Sequence, residues 1–90
     1  ESCVYYLAYD LGPYNIRVNA ISAGPVKTVS AMGIQNFGNV LDVVEQKAPL
    51  KRNVTLKEIG DTAVCLLSNY TSGTTGQIIY VDSGFNVLGM

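Results

Sequence analysis

Ninety residues, 48% of them hydrophobic, give enough apolar material for one small domain or part of one and leave no room for several. The formal net charge is -1 and the six basic residues are scattered apart from Lys51 and Arg52, so no basic face exists to neutralise a row of phosphates, and nucleic acid is excluded as the main partner. Histidine is absent, which removes Ser-His and Cys-His nucleophile pairs together with the commonest metal ligand.

No basic-then-apolar leader opens the sequence, and no apolar run reaches the roughly 18 residues that a membrane span needs, so a soluble protein with no membrane partner is expected. Cys3 and Cys65 lie in separate apolar segments without zinc or C-x-x-C spacing. Two buried, reduced thiols are expected, and a cytoplasmic compartment with them. Asn53-Val54-Thr55 and Asn69-Tyr70-Thr71 match the glycosylation acceptor pattern, which is common by chance and has no other sign of secretion beside it.

In "ESCVYYLAYDLGPY" the residues Val4, Leu7, Ala8 and Leu11 recur at helix-face spacing, and Gly12 with Pro13 supplies the stop. Tyr5, Tyr6, Tyr9 and Tyr14 read as the rim of that helix. After a link of residues 13–15, "IRVNAIS" reads as a buried strand that breaks sharply at Gly24 and Pro25. Residues 28–38 carry Gly33 and Gly38 and read as mobile helical turns, whereas Val40, Leu41 and Val44 belong to a helix that ends before Pro49.

"TLKEIGDTAVCLLSN" is a firmer helix. Thr55 is its cap and Glu58 the capping-box partner, with Ile59, Ala63, Leu66 and Leu67 forming the buried face. "TSGTTG" is a polar turn, and "QIIYVD" a second buried strand closed by Ser83 and Gly84. Two strands separated by helices predict a right-handed crossover in a parallel sheet covered on both faces. Two strands alone leave unpaired edges, so the chain is expected to be part of a larger α/β domain whose other strands lie elsewhere.

In such sheets ligands sit beyond the carboxyl ends of the strands, where "ISAGPVKT" falls. Ser22, Ala23 and Gly24 would let a flat ligand approach the backbone, Pro25 would fix a bend, and Thr28 with Lys27 could meet a phosphate. An ordinary structural turn is the alternative.

Three stretches, "ESCVYYLAYDLGPYNIRVNAISAGPVKT", "APLKRNVTLKEIGDTAVCLLS" and "TSGTTGQIIYVDSGFNVLGM", closely resemble the C-terminal third of short-chain dehydrogenase/reductases. Within that superfamily they are similar to the bacterial and plastid enoyl-acyl-carrier-protein reductases. The order Ala23-Gly24-Pro25 matches this branch, and Ser83 stands where the final strand usually continues with Gly. The resemblance implies the C-terminal part of a doubly wound parallel-sheet, Rossmann-type domain, incomplete in this chain, with a substrate lid over about 28–48.

It further implies NADH- or NADPH-dependent reduction of the trans-2 double bond of an acyl thioester carried by acyl carrier protein. By resemblance, Pro25, Val26, Lys27, Thr28, Val29 and Ser30 close on the cofactor, with backbone at Val26 pairing with the carboxamide and Thr28 reaching a phosphate. Ala31, Ile34, Phe37 and Val40 would wall the acyl chain. Read without the resemblance, Ile34, Phe37 and Val40 are an ordinary helix face, although Gly33 and Gly38 suit a segment that moves.

The resemblance implies that the catalytic Tyr and Lys of the superfamily lie just upstream, and no tyrosine here stands seven positions ahead of a lysine. The Gly-rich phosphate loop is not in these residues either. No catalytic residue and no metal ligand is therefore assigned within the chain. The remaining part of the same enzyme is expected as partner, in a homotetramer with the apolar tail from Phe85 at an interface. The compartment would be the cytoplasm, or a plastid if the source is eukaryotic. Another short-chain dehydrogenase/reductase, such as a ketoacyl reductase, and a non-catalytic assembly fragment are the alternative readings.

Overall fold

The computed structural model describes residues 1–26 and 37–88. Helix α1 (Ser2–Leu11) runs into a 3-10 turn (Gly12–Tyr14), followed by strand β1 (Ala20–Ala23), helix α2 (Phe37–Lys47), helix α3 (Leu56–Leu67), a 3-10 turn (Asn69–Thr71), strand β2 (Ile78–Val81) and a closing 3-10 turn (Phe85–Leu88). β1 and β2 pair in parallel, with Ala20 opposite Ile78 and Ala23 opposite Val81. The expected α/β class with parallel strands is the one observed.

Each element begins and ends for a local reason. The left-handed residue that closes the α1 region is Asn15 (φ 61°), not Gly12, which stays helical and starts the 3-10 turn with Pro13 in its first turn. α2 begins at Phe37, so Gly38 lies within a regular helix and not in helical turns; residues 28–36 fall outside the described part. Its end is fastened by Lys51, whose Nζ donates to the Gln46 carbonyl at 3.0 Å, a cation satisfying an orphan acceptor at a helix C-terminus.

α3 starts with a complete capping box. The Glu58 amide donates to Thr55 Oγ1 at 3.2 Å, and the Thr55 amide donates to Glu58 Oε1 at 3.0 Å. Arg52 grips the same carboxylate with both terminal nitrogens at 2.8 Å. The Arg52 hydrogen bonds come first, and the Thr55 amide next, in pulling the Glu58 pKa from 4.5 to about 2.

The core is small. Leu41, Val44, Ala48 and Val54 are buried around the C-terminal half of α2, and Ala8 is buried under α1 beside Gly76. Elsewhere the expected burial does not occur. Leu67 is 85% exposed, Leu7 is exposed, Val4 and Leu11 are half-buried, and both strands are half-buried at best. Cys3 and Cys65 are exposed, not buried as expected. The physical reason is common to all of them: an apolar face is hidden only where another element lies against it, and nothing among the described residues covers these faces. The radius of gyration of 15.3 Å exceeds the roughly 12 Å of a compact domain of this length.

Three outcomes follow. The isolated 90-residue chain is expected to elute as associated species in size exclusion and to bind a hydrophobic dye; a monomer with one cooperative melt would contradict the uncovered faces. In a peptide spanning 52–68, helicity by circular dichroism should be fully present above the ordinary carboxylate value. It should fall as pH drops from about 4.5 through about 2, because a depressed folded-state pKa stabilises only while the carboxylate stays ionised. Thr55→Ala should cost about 1 kcal/mol of helix stability.

Candidate functional site

Parallel pairing brings the carboxyl ends of β1 and β2 level, and the chain leaves both strands there. The Gly24 amide donates to the Val81 carbonyl at 3.0 Å, so the pairing continues one residue beyond β1. A Cβ built on Gly24 would lie 3.1 Å from Asp82 Cβ and 3.2 Å from Asp82 Cα, closer than such contacts normally come. Any side chain at position 24 would need Asp82 to give by a few tenths of an ångström, and the strand end at Gly24 is backed by β2. Ser22 and Ala23 are exposed and small, leaving the strand end open, and Pro25 and Val26 follow half-buried.

Asp82 shapes the other side. Its Oδ1 accepts from the Gly84 amide at 3.0 Å and its Oδ2 from the Asn86 amide at 3.1 Å, so one carboxylate turns the chain and caps the closing 3-10 turn. Ser83 (φ 58°) and Gly84 (φ 87°) are both left-handed. The Leu50 amide donates to the Ser83 carbonyl at 3.1 Å, which brings the turn after α2 to the same place. Three turns, at 24–26, 48–51 and 82–84, therefore meet beyond the strand ends.

Of the ten residues singled out in the sequence, Pro25 and Val26 stand in this site. Lys27, Thr28, Val29, Ser30, Ala31 and Ile34 lie outside the described residues. Phe37 opens α2, and its side chain lies outside the described part; Val40 is on α2 and 47% exposed. Sequence reasoning missed Asp82, Pro49 and Leu50, although an Asp two residues before a Gly is a recognisable turn signal.

It also missed the clamp at the opposite end of β1. Arg17 Nη1 donates to Thr71 Oγ1 and to the Thr74 carbonyl, both at 3.2 Å, while Nη2 donates to the Leu66 carbonyl at 2.9 Å and the Ser68 carbonyl at 3.2 Å. The guanidinium thereby satisfies carbonyls that the end of α3 leaves open. A groove of about 500 Å³ opens beside it, with Val18, Ile21, Ala63, Leu66 and Leu67 in its wall and Asn15, Arg17 and Asn19 completing it. It is centred on the leading end of β1 and on α3, away from the Gly24 turn, and so is not the site described above. No group of His, Cys, Asp or Glu among the described residues could hold a metal ion.

A parallel strand pair flanked by helices, with an open small-residue turn at its carboxyl end, is a segment of an open α/β sheet. The profile of the family described as Enoyl-(Acyl carrier protein) reductase matches residues 1–86, and the chain belongs to that family. It is 58% identical over 88 residues to the enoyl-acyl-carrier-protein reductase [NADPH] FabI of Staphylococcus aureus strain MRSA252, covering 98% of this chain and 34% of that one. With the NADH form of Bacillus cereus it shares 54% over 89 residues, covering 99% and 35%.

The crystal structure of the Bacillus cereus reductase with NADP+ and indole naphthyridinone superposes with a TM-score of 0.92 at 53% identity, again over 99% of this chain and 35% of that one. The Anaplasma phagocytophilum reductase in complex with NAD gives 0.90 at 49%, over 99% and 34%. The chain spans about a third of the length of these relatives.

Gly24→Ala should push the turn from Asp82, cost about 1–3 kcal/mol of stability, and lower the exchange protection of the residue-24 amide. Unchanged protection would mean that Asp82 yields easily and that the contact does not dictate glycine.

Proposed function

We propose that this chain is the cofactor-shelf and substrate-wall segment of an enoyl-acyl-carrier-protein reductase. The observation that carries the reading is the open, small-residue end of a parallel strand at Ser22, Ala23 and Gly24, in a chain that is 58% identical to a named reductase. Two relatives are named as using NADPH and NADH respectively, so a nicotinamide dinucleotide is the cofactor. The residues present suit it: Gly24 adds no side chain above the strand end, and Pro25 and Val26 follow directly after the hydrogen bond that the Gly24 amide donates to the Val81 carbonyl.

Pro25, Val26, Lys27, Thr28, Val29 and Ser30 would hold the cofactor, and Ala31, Ile34, Phe37 and Val40 the acyl chain, as part of a covering segment at 28–48. A bound reduced nicotinamide would supply the hydride for reduction of the enoyl double bond at its β-carbon, with a proton for the α-carbon coming from the rest of the polypeptide. This chain's own contribution is to orient and to exclude water, since the residues that donate the proton and organise the ribose belong to the rest of the polypeptide.

The enzyme acts on substrate carried by acyl carrier protein, in type II fatty acid synthesis, in the cytoplasm. No helix among the described residues is long and apolar enough to cross a membrane. A homotetramer is the proposed assembly, supported by exposure of Tyr5, Tyr6, Tyr9, Tyr14 and, in the tail, Val87.

The test is a chimera in which residues 1–90 replace the matching segment of the Bacillus cereus reductase. It should oxidise NADH or NADPH with a crotonyl thioester at a rate within about tenfold of the parent, and leave an acetoacetyl thioester untouched. Reduction of the acetoacetyl substrate alone would make the chain a ketoacyl-reductase segment. A folded chimera inactive with both would leave an assembly role.

A further inference from the structure

We infer that Ser83 and Gly84 form a positioning element that sets the root of α2 against the Gly24 shelf, so that Gly84 and Pro49 govern how the acyl substrate is held. This rests on the reading that α2, through Val40, belongs to the substrate wall. The contact is close: a Cβ on Gly84 would lie 2.9 Å from Pro49 Cγ, 3.1 Å from Cβ and 3.2 Å from Cδ. The Leu50 amide is tied to the Ser83 carbonyl at 3.1 Å. Lys51 (φ 56°) closes the same turn, its amide donating to the Ala48 carbonyl at 2.8 Å. Ala48 is fully buried and Val44 nearly so, hence the α2 end cannot shift without moving packed side chains.

The turn keeps this shape at a cost. Ser83 holds a left-handed backbone that only glycine adopts freely, and its buried hydroxyl has no hydrogen-bond partner among the described residues. Strain that surrounding contacts over-determine, at the point where the strand end, the α2 root and the Gly24 shelf meet, is a mark of a site whose geometry matters. Asp82 links the two sides directly, its side chain turning the Ser83 segment while its Cβ and Cα face Gly24.

Gly76 provides an internal control. It too is left-handed (φ 70°), but it lies at the other end of β2, and a Cβ there would meet only Ala8 Cβ at an ordinary 3.4 Å. In the chimera, Gly84→Ala is expected to raise KM for the crotonyl thioester about fivefold or more, with cofactor Kd within about twofold, whereas Gly76→Ala, which also places alanine in a left-handed backbone, leaves KM unchanged. The Leu50 amide should lose exchange protection in the first variant and keep it in the second.

Pro49→Ala, which removes the ring atoms from the contact without a left-handed alanine, should raise KM about twofold to threefold and keep the fold if Gly84→Ala does not. An unchanged KM in either folded variant, or an equal rise in Gly76→Ala, overturns the positioning role. An inactive parent chimera whose Leu50 amide still responds to Gly84→Ala would retain the mechanical link and remove the function attached to it.

Discussion

The pairing of Ala20–Ala23 with Ile78–Val81 is the constraint from which the rest of the geometry descends. The two segments are far apart in sequence, so bringing them together costs closure entropy that four residue pairs repay only if the register is held at its ends. It is held at the leading end by two side chains and a backbone hydrogen bond. The Val18 amide donates to Thr75 Oγ1 at 3.0 Å, the Gly76 amide donates to the Val18 carbonyl at 2.8 Å, and the Gln77 amide donates to Asn19 Oδ1 at 3.1 Å. A slip of one residue would turn every side chain of β1 to the other face and separate Gly24 from Asp82.

Arg17 does more for this arrangement than the surface ion pairs do. Lys57 and Asp61 are 2.7 Å apart, but their side chains are 85% and 64% exposed, and solvent screening leaves such a pair little net effect. Arg17 instead spends one half-buried guanidinium on three carbonyls and a hydroxyl drawn from the end of α3 and the following turn. Charge-assisted bonds of this kind are worth about 1.5–3 kcal/mol each before allowance for non-additivity. The consequence is geometric as much as energetic, because α3 cannot drift along β1 while its last carbonyls are gripped from the residue that leads into the strand.

The sequence was legible wherever a rule is local. Thr55 and Glu58 announce their capping box by spacing, Pro49 limits α2, and the strand order follows from apolar runs separated by helices. Burial was not legible at Leu7, Leu67, Cys3 and Cys65, since periodicity tells which face is apolar but not whether anything lies on it. The stop expected at Gly12 and Pro13 comes three residues later, at left-handed Asn15, because the chain continues through Gly12–Tyr14 as a 3-10 turn. Arg17 read as a stray charge because all four of its partners lie about fifty residues away or more, beyond any local rule. At the candidate site, Pro25 was readable from the break after the strand and Val26 was singled out through the family resemblance, whereas Asp82, Pro49 and Leu50 join only through the tertiary pairing.

The two ends of the strand pair divide the work. At the leading end, polar side chains reach across to backbone groups and satisfy them, which fixes position and leaves little free hydrogen-bonding capacity for a ligand. At the carboxyl end the close approaches are instead made by glycine backbone, Gly24 to the Asp82 Cβ and Cα and Gly84 to the Pro49 ring, and the side chains of Ser22 and Ala23 are small and open. A shelf built from close backbone approach is stiff yet bare, which is what a flat ligand needs beneath it. Rigidity is thus imported from the polar end through four paired residues, and the carboxyl end can present a bare surface because it does not have to supply its own support.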